Sequence, residues 1–219
     1  MEIEQELATW LGEKFGGRVG IAVAALDREY PLWPEEQSRV AGAVARRRIE
    51  FSTGRSCARR ALEQLGIAPC AIPAGVRGGP VWPEEACGSI THSGNLCAAV
   101  VARTKNFAGL GIDVVAVEEA RSGLSSAASM FASASEIESA RSALSADGSD
   151  AQLLAILFSA KESAIKAMSA RFDRYVEFTD IQIALNGSSF TASCSSFGTR
   201  AEGWWAVRGG YVFTAAALA

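Results

Sequence analysis

Apolar residues along the chain alternate between helical and extended spacing. Glu2 to Phe15 shows helical spacing and closes on Gly16-Gly17, which predicts a short amphipathic helix. Val19 to Leu26 is a compact apolar run with β-branched residues and predicts a buried strand. Pro34 opens a helical stretch, broken once, that reaches Leu65 and is capped by Gly66. Proline and glycine dominate from Ala68 to Glu85, so loop with short extended pieces is expected there. Strands are predicted at Ser89–Ser93, Cys97–Arg103 and Leu110–Val117. Ser122 to Ser149 is rich in Ser and Ala, with a helix near Ser135–Leu144, and reads as a solvated, variable insertion. Ala151 to Ala170 is the strongest helix, with Leu154, Leu157, Phe158, Ile165 and Met168 on one stripe. Short strands at Glu177–Leu185, Phe190–Cys194, Trp204–Arg208 and Tyr211–Ala217 complete the chain. The order helix-then-strands occurs twice, with a break near Val117, although no sequence repeat is visible.

Composition narrows the class of protein. A chain of 219 residues, 49% hydrophobic and 21% charged, has the make-up of a soluble globular protein with a good core. Its net charge of -3 gives no drive toward nucleic acid or anionic membranes, so an anion site must come from local clustering of basic residues. The five cysteines include no C-x-x-C pair and the chain has 1 histidine, which argues against a disulfide framework or a Cys/His zinc site. The opening MEIEQELATW places acids before its apolar residues, the reverse of a secretory signal, and no apolar run reaches membrane-spanning length. A cytoplasmic protein is expected.

Four segments carry candidate chemistry. In RRRIEFSTGRSCARRALEQLG, Phe51, Ala58, Leu62 and Leu65 form the buried stripe of a helix, with Arg48, Arg55 and Arg59 along one edge and Arg47 along the other. Either this is a solvated basic face, or packed stems hold forked guanidinium heads toward an anion. In GSITHSGNLCAAVVA, His92 sits in a polar stretch between a strand and a turn, where structural and functional roles are both open. In GLGIDVVAV, Asp113 interrupts an apolar strand, and there it is paired, metal-bound or at a solvent-facing strand end. In LLAILFSAKESAIKAMSA, Glu162 and Lys166 share a helix face as a surface ion pair or a functional one, while Lys161 falls almost on the apolar stripe.

In order, RRRIEF..GR.CAR.AL, GGPVWP, GSITHS and GID followed by FSAKESAIKA resemble the 4′-phosphopantetheinyl transferases, in particular the group serving siderophore and other nonribosomal peptide synthetases. The resemblance covers residues 46 to 168 and implies an α/β (α+β) monomer built as a pseudodimer. Its halves, taken as 1–117 and 118–219, would each pack a small sheet against a long helix, with coenzyme A and magnesium in the cleft between them. By motif match it implies that Arg47, Arg55, Arg77 and His92 hold the 3′-phosphate of coenzyme A, and that Gly78, Gly79 and Pro80 shape the adenine pocket. It also implies Asp113 and Glu162 as magnesium ligands and Lys161 as a contact to the diphosphate. Glu162 is then the candidate general base toward the serine of an acyl, peptidyl or aryl carrier protein, and Lys166 the group that meets the departing phosphate.

One position departs from the family. Where a second acid usually follows in Gly-Ile-Asp-x-Glu, this chain has Val115, which cannot bind metal. A coenzyme A-binding protein without transferase activity is therefore an alternative. A serine hydrolase built on Gly54-Arg55-Ser56-Cys57-Ala58 is not favoured, because that segment lies in a helical stretch and not after a strand.

Overall fold

The computed structural model describes residues 2–76, 78–144, 149–169 and 176–218, the side chain of Ser122 excepted. The chain divides between Ala108 and Gly109 into two compact units. In the first, α1 (Glu2–Lys14) leads into β1 (Val19–Ala25), followed by the short α2 (Pro34–Gln37), a 3-10 turn (Ser38–Val40) and α3 (Ala45–Gln64). Strands β2 (Ala86–Ser93) and β3 (Leu96–Arg103) complete an antiparallel sheet of order β1-β3-β2. The central β3 is buried from Leu96 to Ala102. Small residues bring α3 onto this sheet, with Ala58, Ala61 and Leu62 against Ala22, Ala99 and Val101. At Gly20 the approach is so close that a Cβ would lie 1.9 Å from the Ala61 carbonyl oxygen. Gln64, at the end of α3, exchanges both amide hydrogen bonds with the backbone of Ile21, at 2.8 and 2.7 Å, and so ties the helix to an edge strand.

The second unit begins with β4 (Gly109–Ala116) and continues through α4 (Val117–Phe131), α5 (Ala134–Ala143) and α6 (Asp150–Met168). After a 3-10 turn (Phe178–Asp180) come β5 (Ile181–Asn186), β6 (Ser189–Cys194), β7 (Thr199–Arg208) and β8 (Tyr211–Leu218). These strands form an antiparallel sheet of order β4-β8-β7-β6-β5. One face of α6 lies on β4 and β8, while α4 and α5 cover its other side. The helix is consequently buried almost all round, including Leu153, Ile156, Leu157, Ala160, Ala164 and Met168. The mixed α/β class and the long helix against a small sheet are present in each unit.

The structure departs from expectation in three places. Strand β4 opens the second unit instead of closing the first, because its partner is β8 from the other end of the chain, with Asp113 opposite Thr214. The Ser/Ala-rich stretch is no solvated insertion: its described part holds α4 and α5, which bury Ala120, Phe131, Glu136 and Ala140. Phe131 meets Phe158 edge to face with ring centres 5.4 Å apart, so the insertion reading fails on aromatic packing as well as on burial. Strand β7 starts at Thr199, five residues before the predicted Trp204, since pairing with β6 carries the polar TRAEG segment. Ala170, the predicted end of the long helix, lies outside the described residues.

The seam between β4 and α6 is the tightest in the second unit. A Cβ at Gly111 would fall 1.8 Å from the Ser163 carbonyl oxygen, and one at Gly109 2.1 Å from that of Ala167. Both obstacles are helix backbone, which cannot rotate away. We therefore expect Gly111→Ala to destabilise the protein by ~3 kcal/mol, read by urea or thermal unfolding. Gly123→Ala, at a helical position with open space around it, should instead stabilise by roughly 0.5–1 kcal/mol. Equal effects of the two substitutions would show that the helix does not rest on the strand at Gly111.

Candidate functional site

In the second unit, the residues of β4 that face α6 are every second one. Gly109 meets Ala167, Gly111 meets Ser163, Asp113 meets Ser159, and Val115 packs beside Ala155 and Ile156. Two residues of strand and four of helix advance by nearly equal distances, about 6–7 Å, so the two backbones run alongside each other and this register repeats. The two glycines seat the helix, and Asp113 is the first position in the row with a polar side chain.

Asp113 is buried and hydrogen-bonded through both oxygens. Its Oδ1 accepts from Lys166 Nζ at 2.7 Å and its Oδ2 from the Ser159 hydroxyl at 2.9 Å. Across the sheet, the Thr214 hydroxyl donates to the Ser159 carbonyl at 2.8 Å, fixing the turn of α6 that presents Ser159. Lys166 also donates to the Ile112 carbonyl at 3.2 Å and lies 3.8 Å from Glu162 Oε2. The helical spacing of Glu162 and Lys166 thus does more than form a surface pair: it brings both onto the strand carboxylate. Burial raises the Glu162 pKa; Lys166 opposes that shift and Asp113 adds to it. Burial alone would lower the Lys166 pKa, but Asp113 and Glu162 together outweigh it and raise it. Two carboxylates and one ammonium leave this cluster with a net negative charge, and the ammonium stands where both carboxylates stabilise a cation.

Val115 and Lys161 occupy different surroundings. Val115 packs against an apolar group of Ala120, Ala155, Ile156 and Val212. Lys161, expected at a diphosphate, is 1% exposed, and its ammonium donates to Glu136 Oε2 at 2.9 Å and to the Phe178 carbonyl at 3.1 Å. The other Glu136 oxygen accepts from the Ile183 backbone at 2.8 Å. Lys161 therefore serves as a buried tie between α6, α5 and β5, and reaching an external anion would strip Glu136 of its counter-charge. Low complexity around Glu136 concealed this partner in the sequence. Among the described residues, no group of three or more His, Cys, Asp or Glu side chains could hold a metal ion.

In the first unit, the arginines of α3 separate into different kinds. Arg48 pairs with Glu29 at 2.9 Å and Arg46 with Glu50 at 3.0 Å, both with exposed side chains. Arg46 also donates to the Gly94 carbonyl in the turn after His92. Arg47 lies 3.5 Å from Glu50 Oε2, and His92 Nε2 lies 3.8 Å from the same oxygen, so Glu50 gathers both. Arg55 is different: only 6% exposed, it stacks 4.0 Å over the Phe51 ring and donates from Nε to the Ile72 carbonyl at 2.8 Å. One of its terminal nitrogens is buried with no hydrogen-bond partner among the described residues. Burial lowers the Arg55 pKa to about 10, against a raising influence of Glu36 and further lowering by Arg47 and Arg59. A buried guanidinium with an idle donor and no carboxylate bound to it is a ready-made receptor for an anion.

Gly78, Gly79 and Pro80 lie on a small hairpin tied by Gly75 to Gly79 at 2.8 Å, Val81 to Pro73 at 2.9 Å and a bridge between Ala74 and Pro80. Gly78 has a φ of 83°, a left-handed conformation that glycine adopts without strain. Arg77 lies outside the described residues. Glu36, which the sequence reading passed over, is 0% exposed and bonds Arg59 through both oxygens at 2.7 and 2.9 Å. Gly54-Arg55-Ser56-Cys57-Ala58 lies wholly inside α3, with no strand before the serine.

Comparison with known proteins agrees with this division of the chain. A family profile described as the 4′-phosphopantetheinyl transferase N-terminal domain matches residues 35–102, and one described as the 4′-phosphopantetheinyl transferase superfamily matches residues 109–216. The chain is 36% identical over 198 residues to the 4′-phosphopantetheinyl transferase Svp of Streptomyces mobaraensis, covering 86% of this chain and 79% of that protein. It is 34% identical to the 4′-phosphopantetheinyl transferase PptT of Mycobacterium tuberculosis, over 84% of this chain and 85% of the relative. Enterobactin synthase component D of Escherichia coli K12 is 32% identical over 69% of this chain and 68% of its own length. With both profiles matched in order and relatives aligned over most of their lengths, the chain belongs to the 4′-phosphopantetheinyl transferase superfamily.

Proposed function

We propose that this chain runs the transfer its superfamily is named for with Asp113, Glu162 and Lys166 at the reacting end and Arg47, Arg55, Arg77 and His92 at the 3′-phosphate. In that reaction a serine hydroxyl of an acyl, peptidyl or aryl carrier protein attacks the β-phosphorus of coenzyme A. An O–P bond to the serine forms, the diphosphate bridge breaks, and adenosine 3′,5′-bisphosphate leaves. The observation that carries the reading is the convergence of Asp113 and Glu162 on one cation, within the segment that matches the superfamily profile.

Asp113 and Glu162 are the residues that would hold magnesium, and the ammonium between them supports a cation at that point. When bound, the metal supplies charge neutralisation at the diphosphate. Glu162, with a pKa raised by burial, is suited to take the serine proton as a general base. Lys166 is suited to turn its ammonium toward the phosphate oxygens on which negative charge accumulates. Lys161 is left out of this set, because its charge is already met by Glu136. The single chain supplies both matched segments, which supports action as a monomer, and five free cysteines support a reducing compartment such as the cytoplasm. Among the described residues no helix is long and apolar enough to cross a membrane. Service to a nonribosomal peptide or siderophore pathway is part of the proposal, supported by the likeness to enterobactin synthase component D.

Incubation of an apo carrier protein with coenzyme A and magnesium, followed by mass spectrometry, should show the gain of one phosphopantetheine. No gain, with coenzyme A still bound, would favour a binding protein of the same fold. Asp113→Ala should abolish the gain, and full activity at saturating magnesium would overturn the site.

The raised pKa of Glu162 gives a pH prediction. A carboxyl whose folded pKa lies above its unfolded value adds stability below the unfolded value and loses it as pH rises through the folded one. At neutral pH the ionised group is therefore a cost to folding. Glu162→Gln should abolish turnover yet leave Tm unchanged or higher at pH 7, with the gain shrinking toward pH 4. A lower Tm at pH 7 would show that Glu162 acts structurally.

Val115→Glu tests whether the missing acid could be restored. Because Val115 packs among apolar side chains, we expect ~1–3 kcal/mol of destabilisation and no tightening of magnesium in calorimetry. Tighter metal binding with unchanged Tm would mean that the apolar group opens readily.

A further inference from the structure

The first unit contains a fully buried carboxylate that neither the reaction nor the family motifs use. Glu36, on the short α2, accepts four hydrogen bonds: from Trp33 N at 3.0 Å, Ile72 N at 2.8 Å, and Arg59 at 2.7 and 2.9 Å. Arg59 adds a bond to the Pro31 carbonyl at 3.0 Å. The peptide units on either side of Ile72 are thereby held from opposite directions, the N–H by Glu36 and the carbonyl by Arg55. The next residue, Pro73, accepts from Val81 and so anchors the hairpin that bears Gly78, Gly79 and Pro80.

This arrangement decides which arginine of α3 stays available. Arg55 and Arg59 are one helical turn apart, and a single buried carboxylate lies close to both. Glu36 accepts through both oxygens from one terminal nitrogen of Arg59 and touches Arg55 only through the Ile72 backbone. Arg59 is thus neutralised, while Arg55 keeps a charge and an idle buried donor. We infer that Glu36 is a positioning residue for phosphate recognition, holding Arg55 through Ile72 and binding Arg59 so that Arg55 is left unpaired for the ligand. The inference rests on the reading of Arg55 as a ligand of the 3′-phosphate.

The test compares coenzyme A with dephospho-coenzyme A, which lacks that phosphate, by titration calorimetry on the full chain. Glu36→Gln should raise Kd for coenzyme A on the order of tenfold and leave dephospho-coenzyme A within about twofold. In the Arg55→Ala background the same substitution should add nothing to the loss, because the two residues act as one unit. If Arg55→Ala weakens only coenzyme A but Glu36→Gln weakens both ligands equally, or neither, the positioning role is overturned. Equal losses for both ligands in Arg55→Ala would instead overturn the underlying reading of Arg55. Should Glu36→Gln lose its cooperative thermal transition, Arg59→Lys serves in its place: it keeps a cation beside Glu36 but cannot fork to both oxygens and Pro31. It should give a smaller loss selective for coenzyme A, and an unselective loss would count against the role as firmly.

Discussion

The whole cluster of Asp113, Glu162 and Lys166 depends on how closely α6 lies on β4. Gly109 and Gly111 remove the side chains that would hold helix and strand apart, and the helix backbone fills their places. Two residues on, that spacing puts Asp113 within bonding range of Ser159 and Lys166 and sends Glu162 to the same ammonium. A helix standing a further ångström or two from the strand would leave a buried aspartate short of its donors, at a cost of several kcal/mol. Glycine in a strand ordinarily weakens it. Here the weakness is offset because the same residue seats the helix and positions the charges. The first unit uses the device with fewer polar consequences: Gly20 admits the backbone of α3 at Ala61, and the helix packs its small apolar residues on the sheet.

The two units treat buried charge in opposite ways. In the second, Lys161 and Glu136 neutralise one another and satisfy two backbone groups, forming a closed tie that orders α5 against α6. In the first, Glu36 closes on Arg59 but Arg55 is left with burial and no carboxylate. A closed pair contributes to structure and offers nothing to a ligand. An open one destabilises the empty protein and returns that energy when an anion arrives. On the proposed reading of Arg55, overall charge matters little to an acidic protein that desolvates one guanidinium and leaves it without a carboxylate.

Much of this was legible in the sequence, and the failures have physical causes. Helix α3, the three strands after it and α6 follow from apolar runs, periodicity and punctuation, because each lies wholly or on one face in a core. Asp113 was suspect for a sound reason, since an acid inside GLGIDVVAV must find partners, and Ser159 and Lys166 are those partners. Periodicity could not show that β4 pairs with β8, because contacts between strands about a hundred residues apart leave no local trace. The Ser/Ala-rich segment misled because small residues look solvated in a composition count, although alanines let α4 pack closely on α6. Lys161 misled for a related reason. The resemblance implied a diphosphate contact for it, while its partner Glu136 lay in the segment read as an insertion. Glu36 gave no signal beyond two acids at a helix start, where exposed carboxylates are ordinary.

The replacement of the usual second acid by Val115 is best understood from the row it belongs to. Gly109, Gly111, Asp113 and Val115 face α6 in turn, from backbone contact, through a polar step, to an apolar end among Ala120, Ala155, Ile156 and Val212. A carboxylate at the last position would need a counter-charge in that group, and Lys166 is already shared between Asp113 and Glu162. With valine there, one ammonium offsets part of the charge of two carboxylates, and the cluster keeps a modest negative charge. A third acid would make the empty site more negative and would lie buried among apolar side chains, at the expense of the fold. A cluster that carries its own lysine has its charge partly met by the chain itself, with Lys166 shared between Asp113 and Glu162.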